Sequence, residues 1–347
     1  MPAISEKRTV AVIGAGAAGL AAAETLARLG ASVEVVEKRA VTGGHAAHFT
    51  CKATDTCVKC GACLVNDLQR RTAEAARIRF HLNSAVERTE SGQVFRVSLA
   101  NEKGQNEFDA DAILIAIGFK IFDARNKPYG YGYLENVLTN FDLEQRLKND
   151  FHLKRPSDGK IPETIAFIQC VGSRDAQLRH LWCSKFCCAS SLRMAQRIRH
   201  LHPQTKVTVF YIDIQTFGKE FQAFYDRMRR ELVFVRAIPG DITDAEGNGC
   251  KVSYFDPSSG RSEEAVFDMV VLSSGITPST DHQSIARLLK LPLSAEGFFQ
   301  EAGQPAGIFS AGAAVEPMTI AESVASGTRA AWQIAEYLRQ RGKGIEK

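Results

Sequence analysis

No run of apolar residues in this 347-residue chain approaches the roughly 20 needed to cross a bilayer as a helix. Charge of one sign is lacking too. With 43 basic and 39 acidic residues the formal net charge is +4, too even a balance to argue for a nucleic-acid partner. No fixed-period repeat and no low-complexity tract is visible, which sets aside solenoids and biased linkers. The first nine residues are short and polar and lead at once into a strand pattern. They lack the apolar core of a signal peptide, and a cytoplasmic location is expected. What remains is an ordinary globular composition, 45% apolar and 24% charged, long enough for about two domains of roughly 150 residues each.

Cysteine is present in surplus. The nine cysteines are grouped: Cys51, Cys57, Cys60 and Cys63 form one set, Cys170, Cys183, Cys187 and Cys188 another. Structural disulfides are not expected in a reducing compartment, so the grouping points to metal or redox chemistry. Cys250 stands alone and reads as a small buried apolar residue.

Residues 9–13 read as a buried strand, Gly14-Ala-Gly-Ala-Ala-Gly19 as a turn, residues 20–29 as a helix and residues 32–36 as a second strand ending at Glu37. Further strands are expected near residues 80–83, 94–99 and 111–117, the last running into Gly118. Residues 119–162 look less regular, with a polar helical stretch near 143–148. A second α/β unit then begins: strands at 164–169, 206–212 and 268–273, and a helix over 183–200 on which Leu192, Ala195, Ile198 and Leu201 recur at helical spacing. Residues 307–312 form a strand into a glycine turn, and residues 319–338 a helix.

Gly14-x-Gly16-x-x-Gly19 is weak evidence alone. Between a strand and a helix, with Glu37 placed 18 positions after the third glycine, it becomes a dinucleotide fingerprint. Gly14 permits the tight turn, Gly16 lets backbone approach the pyrophosphate, and Gly19 lets the helix pack close to the strand, with Ala18 on its first turn expected at the cofactor. The helix N-terminus offers unpaired N–H groups and a positive dipole end to the phosphates. Glu37 is positioned to accept from ribose hydroxyls, with Lys38 beside it. The unit alone does not decide between FAD and NAD.

Both ends of the chain resemble the glutathione-reductase-like flavoproteins, and that resemblance favours FAD. It rests on a dinucleotide fold that opens the chain, on Gly43-Gly44 soon after Glu37, and on Gly307-Ile-Phe-Ser-Ala-Gly312 before a late helix. It implies a two-dinucleotide-binding α/β fold of the glutathione or thioredoxin reductase kind. It also implies that His45, Gly118, Gly312, Ala313, Thr319, Ile320 and Ser323 lie along the cofactor. One departure stands out: that superfamily carries Asp after the late glycine, bound to the ribityl chain, where this sequence has Ala313. Backbone and nearby polar groups such as Thr319 or Ser323 are expected to take over.

Cys170-x12-Cys183-x3-Cys187-Cys188 offers four thiolates, which suit a [4Fe–4S] cluster or a tetrahedral zinc. Cys183, Cys187 and Cys188 would share the start of a helix whose dipole favours thiolates, and Cys170 would come from the loop after a strand. In a related reductase that loop would be a second glycine-rich phosphate turn. Here it reads Cys170-Val-Gly-Ser-Arg-Asp175, and the turn is not intact.

The strings Gly43-Gly44-His45, Ile168-Gln-Cys-Val-Gly-Ser-Arg174 and Tyr211-Ile-Asp-Ile-Gln-Thr-Phe-Gly-Lys219, together with the cysteine spacing, resemble the A-type polypeptide of heterodisulfide reductase over nearly the whole chain. The resemblance implies FAD and an iron–sulfur cluster held by Cys170, Cys183, Cys187 and Cys188. It also implies partner subunits of the B and C types, and a homodimer within a heteromeric complex. The methanogen A-type polypeptides are much longer, with ferredoxin-type segments absent here. The chain is more similar to the short A-type polypeptides of the heterodisulfide-reductase-like complexes of sulfur oxidisers, which implies cytoplasmic sulfur oxidation with lipoate-binding proteins as partners. Electron bifurcation is not carried over.

The Cys51-x5-Cys57-x2-Cys60-x2-Cys63 group leaves three readings open: a second cluster, a docking or exchangeable site, and free thiols. His45 and His48 read as polar loop residues rather than metal ligands. Trp182 reads as packing, and residues 227–230 as a solvated basic helix face. Arg174 and Lys185 read equally as solvated charges or as charges near a cofactor. An FAD domain from residues 1–155 and 270–347 is expected, with an inserted α/β domain, 156–269, carrying the cluster. The alternatives are an NAD(P)H-dependent flavoprotein disulfide reductase and a zinc-binding scaffold on a dinucleotide fold.

Overall fold

The computed structural model describes residue 4 and residues 8–101, 104–150, 152–216 and 218–343. The chain divides into two compact units, Met1–Ala47 with Gly61–Lys120 and Pro278–Lys347, and His48–Cys60 with Ile121–Thr277.

The first unit is built on strands β1 (Thr9–Ile13), β2 (Ser32–Val36), β3 (Ile78–His81), β7 (Ala112–Ile115) and β18 (Ile308–Ser310), parallel in the order β18-β7-β1-β2-β3. The central strands are almost wholly apolar because both faces of a parallel sheet are covered. Helices α1 (Ala17–Arg28), α2 (Ala62–Ala73) and α7 (Ile320–Lys343) belong to this unit. The alanines of α1 give it high helix propensity and let α7 pack against it closely. Leu20, Leu26, Ile334 and Leu338 are buried in the same core as Val10 and Val12. An antiparallel meander, β4 (Ala85–Ser91), β5 (Phe95–Asn101) and β6 (Gly104–Ala110), lies beyond β3 in sequence. Helix α6 (Thr280–Leu289) leads the chain's return into this unit.

The second unit repeats this plan. Strands β9 (Val137–Thr139), β10 (Thr164–Val171), β11 (Lys206–Phe210), β12 (Val233–Val235) and β16 (Met269–Ser274) form a parallel sheet in the order β12-β11-β10-β16-β9. Helices α3 (Asn140–Asn149), α4 (Cys187–Leu201) and α5 (Phe221–Glu231) accompany it, with a meander of β13 (Pro239–Ala245), β14 (Gly249–Asp256) and β15 (Arg261–Phe267). The two-residue strands β8 (Lys120–Ile121) and β17 (Ile276–Thr277) lie where the chain passes between units.

The units divide elsewhere than at the expected residues 155 and 270. Val137, Leu138 and Thr139 pair with Val270, Val271 and Leu272, so β9 is an edge strand of the second sheet. Leu143 and Leu147 of α3 sit in the core with Ile165 and Phe167. A capping box at Thr139 and Asp142 starts that helix, Asp142 N–H donating to the threonine hydroxyl at 3.2 Å. Residues 121–155 and the segment 48–60 therefore belong with the second unit.

Candidate functional site

In the first unit, the phosphate-loop glycines each do a distinct job. Gly14 adopts φ +103°, and a Cβ there would collide with the Ala116 carbonyl. A Cβ on Gly19 would strike the Gly14 carbonyl oxygen, so strand and helix can approach only with glycine. Gly16 differs. Its φ is −77°, open to any residue, and no atom lies within 4 Å of where its Cβ would be. It is the N-cap of α1, with no side-chain cap and no acidic residue in the first turn. The helix therefore presents unspent N–H donors to open space, the arrangement that suits a pyrophosphate.

Glu37 is buried and holds the loop in shape: its two oxygens accept from Ala15 N–H and Arg39 N–H, each at 2.9 Å. Each carboxylate oxygen keeps a lone pair for a ribose hydroxyl. Gly43 N–H donates to the Ala15 carbonyl at 2.7 Å, and a Cβ on Gly44 would stand 3.2 Å from Gly16 Cα, so this pair borders the loop. Gly118 (φ +70°) also faces open space. His45 stacks on Phe119 with centroids 4.6 Å apart and its Nε2 lies 3.0 Å from the Phe119 carbonyl. On the returning strand, Gly312 has φ +70°, and a Cβ there would press on Ala18 Cβ at 2.6 Å. Ala313 is buried in the short 3₁₀ turn Gly312–Ala314.

Two expected residues are engaged otherwise. Lys38 makes an exposed ion pair with Asp281. Thr319 is spent on starting α7, its N–H donating to Glu322 at 2.8 Å and its hydroxyl accepting from Glu322 N–H at 3.3 Å. Ile320 packs near Gly61, and Ser323, buried, approaches Gly312. Sequence reasoning missed Ser326, whose hydroxyl accepts from Gly312 N–H at 3.0 Å. It also missed Gly327, where a Cβ would collide with the Ala18 carbonyl. The small residues Ser323, Ser326 and Gly327, at helical spacing after the late glycine, were the available signal.

In the second unit, Cys170 lies within β10, not in a loop after it. The register with β16 shifts between Ile168 and Val171, and Cys170 takes φ 60° at that irregularity. Cys183 precedes the helix rather than sharing its start. Lys185 turns left-handed at φ 63°, and Ser184 is held by Ser173 at 2.5 Å and by Ile276 N–H at 2.8 Å, so α4 begins only at Cys187. Cys187 and Cys188 are its first two residues, both buried. Burial pushes the Cys170 thiol up to about 11 and Cys188 to about 12. Burial first, and then Cys188, Cys170 and Cys183, hold Cys187 well above the usual thiol range. The four thiols thus lie within electrostatic reach of one another.

This donor set fits an iron–sulfur cluster. Thiols beside an uncapped helix N-terminus without acidic residues in its first turn favour ligation, which deprotonates thiols outright. Gln169, next to Cys170 and 4% exposed, has neither amide atom hydrogen-bonded. An unpaired buried amide costs about 1–3 kcal/mol. Among the described residues, no three His, Cys, Asp or Glu converge as a single-ion site. A four-iron cluster does not require that, since each thiolate binds its own iron.

The remaining residues are placed as follows. Arg174 pairs with Asp213 at 2.5 and 3.1 Å and adjoins Cys170. Trp182 donates to the Ile276 carbonyl at 2.9 Å. Arg227, Arg229 and Arg230 are exposed on α5, and Cys250 is buried.

A family model described as an NAD(P)-binding Rossmann-like domain matches residues 12–73. The second A-type iron-sulfur subunit of CoB–CoM heterodisulfide reductase from Methanopyrus kandleri is 38% identical over 248 residues, covering 67% of this chain and 38% of that protein. The chain belongs to the heterodisulfide reductase A-type family. The A-type iron-sulfur subunit of the same reductase from Methanocaldococcus jannaschii is 39% identical over 244 residues, 66% of this chain and 37% of that one. The chain thus spans less than two fifths of the length of these relatives. Among solved structures, the thioredoxin reductases of T. acidophilum and Lactococcus lactis superpose with TM-scores of 0.64 and 0.65 at 17% identity. They cover 95% and 96% of this chain, and 99% and 100% of those chains are covered in turn. The fold is the two-dinucleotide α/β fold of thioredoxin reductase. No helix among the described residues is long and apolar enough to cross a membrane.

Proposed function

We propose that this chain is an oxidoreductase subunit that binds FAD in its first unit and a [4Fe–4S] cluster in its second, and transfers electrons within a heterodisulfide-reductase-like complex. One observation carries the reading. The second unit repeats the sheet plan of the first, yet the helix start that would cradle a second dinucleotide phosphate carries Cys187 and Cys188. Residues 172–186 intervene between strand and helix, tied by Arg174 N–H to the Trp182 carbonyl at 3.1 Å and by the bridge of Asp175 with His180. This segment replaces the tight glycine turn that a nucleotide phosphate needs.

Bound in this way, FAD supplies conversion between two-electron and one-electron transfer, and the cluster supplies one-electron transfer. The chain's own residues position these groups. Gly14, Gly16 and the α1 N-terminus hold the pyrophosphate, Glu37 the adenosine ribose, and Gly43, Gly44, Gly118 and the Gly312–Ala313 turn the remainder of the cofactor. Ser326 fixes that late turn through the Gly312 N–H. Cys170, Cys183, Cys187 and Cys188 ligate the cluster. No side chain is required as a nucleophile.

The finer setting rests on resemblance. Partner subunits of the B and C types, a homodimer of this chain, lipoate-binding proteins in the wider complex and cytoplasmic sulfur oxidation complete the proposal. Replacing Cys183 by Ser tests its core. Iron is expected to fall to background while flavin per chain stays at the wild-type level, measured by metal analysis and absorbance after anaerobic purification. Unchanged iron, or zinc in its place, would overturn the ligand assignment.

A further inference from the structure

Cys51, Cys57 and Cys60 lie on the segment 48–60, which forms part of the second unit and takes no part in the cysteine site above. The segment is fastened down. Lys52 and Glu144 make a buried ion pair of 2.5 Å, and Thr50 N–H donates to Glu144 at 3.2 Å. From α4, Arg197 donates to the Thr50 hydroxyl at 2.8 Å and to the Cys51 carbonyl, and Gln196 donates to the Thr54 hydroxyl at 3.4 Å. Lys59 pairs with Glu220 at 2.5 Å. Thiols on this segment are therefore held at fixed positions.

Two features single out Cys57 and Cys60. Lys59 takes a left-handed φ of 52°, which brings its N–H to within 3.4 Å of the Cys57 sulfur. The same local geometry recurs at Cys183, where Lys185 N–H lies 3.2 Å from the sulfur at φ 63°. An N–H donor aimed at sulfur stabilises the thiolate, the form that reacts. The second feature is Arg193 of α4. Its Nε is buried without a hydrogen bond, and the guanidinium lies 5.5 Å from the Phe221 ring centroid. Burial lowers its pKa, and the groups that oppose the fall are Cys60 and Cys57. A desolvated cation thus lies within electrostatic reach of both thiols. The pair is also asymmetric: Cys57 is exposed, whereas Cys60 is partly sheltered.

We propose that Cys57 and Cys60 form a dithiol that exchanges with low-molecular-weight disulfides, with Cys57 attacking, Cys60 resolving and Arg193 positioning the thiolates. In the first step the Cys57 thiolate attacks one sulfur of the disulfide. A mixed disulfide forms, and the departing thiolate takes up a proton. Cys60 then attacks the Cys57 sulfur, the mixed disulfide breaks, and a second thiol leaves. The substrate gains two electrons and two protons, and the protein loses them as the Cys57–Cys60 disulfide forms. Reverse exchange with a dithiol restores the pair. This inference is independent of the cluster assignment.

The test uses the full cofactor-containing chain, reduced anaerobically and equilibrated with glutathione and glutathione disulfide, followed by alkylation and peptide mapping. Cys57 and Cys60 are expected to lose alkylation together as one two-electron couple. Cys60→Ser should trap glutathione on Cys57. Arg193→Met should slow exchange at Cys57 at least tenfold without changing it at exposed Cys51, and Arg193→Lys should restore much of the rate. The proposal fails if Cys57 and Cys60 oxidise independently, if Cys57 reacts no faster than Cys51, or if both become alkylatable only after iron is chelated.

Discussion

Gly16→Val is expected to empty the dinucleotide site while leaving the protein folded. Gly16 has an unstrained φ of −77°, and nothing lies within 4 Å of its missing Cβ, so no protein atom opposes a Cβ there. The remaining stability cost is the N-cap preference for glycine over an apolar residue, about 1 kcal/mol or less. The open space is where a pyrophosphate would meet the α1 N-terminus. Losing two hydrogen bonds to a charged phosphate, at about 1.5–3 kcal/mol each, removes about 3–6 kcal/mol of binding. At 1.4 kcal/mol per decade that weakens FAD by about 10²- to 10⁴-fold. The assay is flavin per chain after purification, with urea unfolding of both proteins stripped of cofactor, since bound FAD would itself stabilise the wild type. Full flavin content in the variant would refute the phosphate-loop reasoning. A stripped variant several kcal/mol less stable than the stripped wild type would show that Gly16 serves packing instead.

Gly327→Ala should do the opposite. Its Cβ would strike the Ala18 carbonyl, so α7 must shift from α1 at a cost of about 1–3 kcal/mol, visible in denaturant unfolding. His282 should make the first unit acid-sensitive. Burial lowers its pKa from 6.5 to about 4, and its ring stacks on Phe299 at 5.1 Å. Above pH 6.5 both states hold it neutral and nothing is lost. Between pH 6.5 and 4 only the unfolded chain takes the proton, so stability falls, by about 3 kcal/mol at most, and then levels off. Unfolding midpoints measured across that range check this, and His282→Leu should flatten the dependence.

The dinucleotide loop is legible in the sequence because its signal is local. Gly14, Gly16, Gly19 and Glu37 fall within one strand, turn, helix, strand unit; Gly14 and Gly19 are fixed by backbone geometry that only glycine satisfies, and Gly16 by the open space it leaves before the helix. The parallel strands are legible for a related reason: buried on both faces, they read as short apolar runs. The meanders are not. Strands such as Gly104–Ala110 and Arg261–Phe267 are largely polar, and their existence depends on antiparallel partners that sequence alone does not reveal. Periodicity starts α4 four residues early because Ser184 is held out of helix by tertiary bonds to Ser173 and Ile276 and Lys185 turns left-handed. Ser326 escapes notice because its partner is a backbone N–H 14 residues away, which periodicity does not identify. Residues 121–155 fall in a different unit from the one expected because only β9 pairing with β16 decides where they belong.

Flavin and metal analysis of the anaerobically purified chain tests the central claim most directly. One FAD and about four irons per chain are expected, with the iron reduced in single-electron steps by spectroscopic titration. A colourless protein carrying zinc, or flavin without iron in the presence of intact Cys170, Cys183, Cys187 and Cys188, would contradict it.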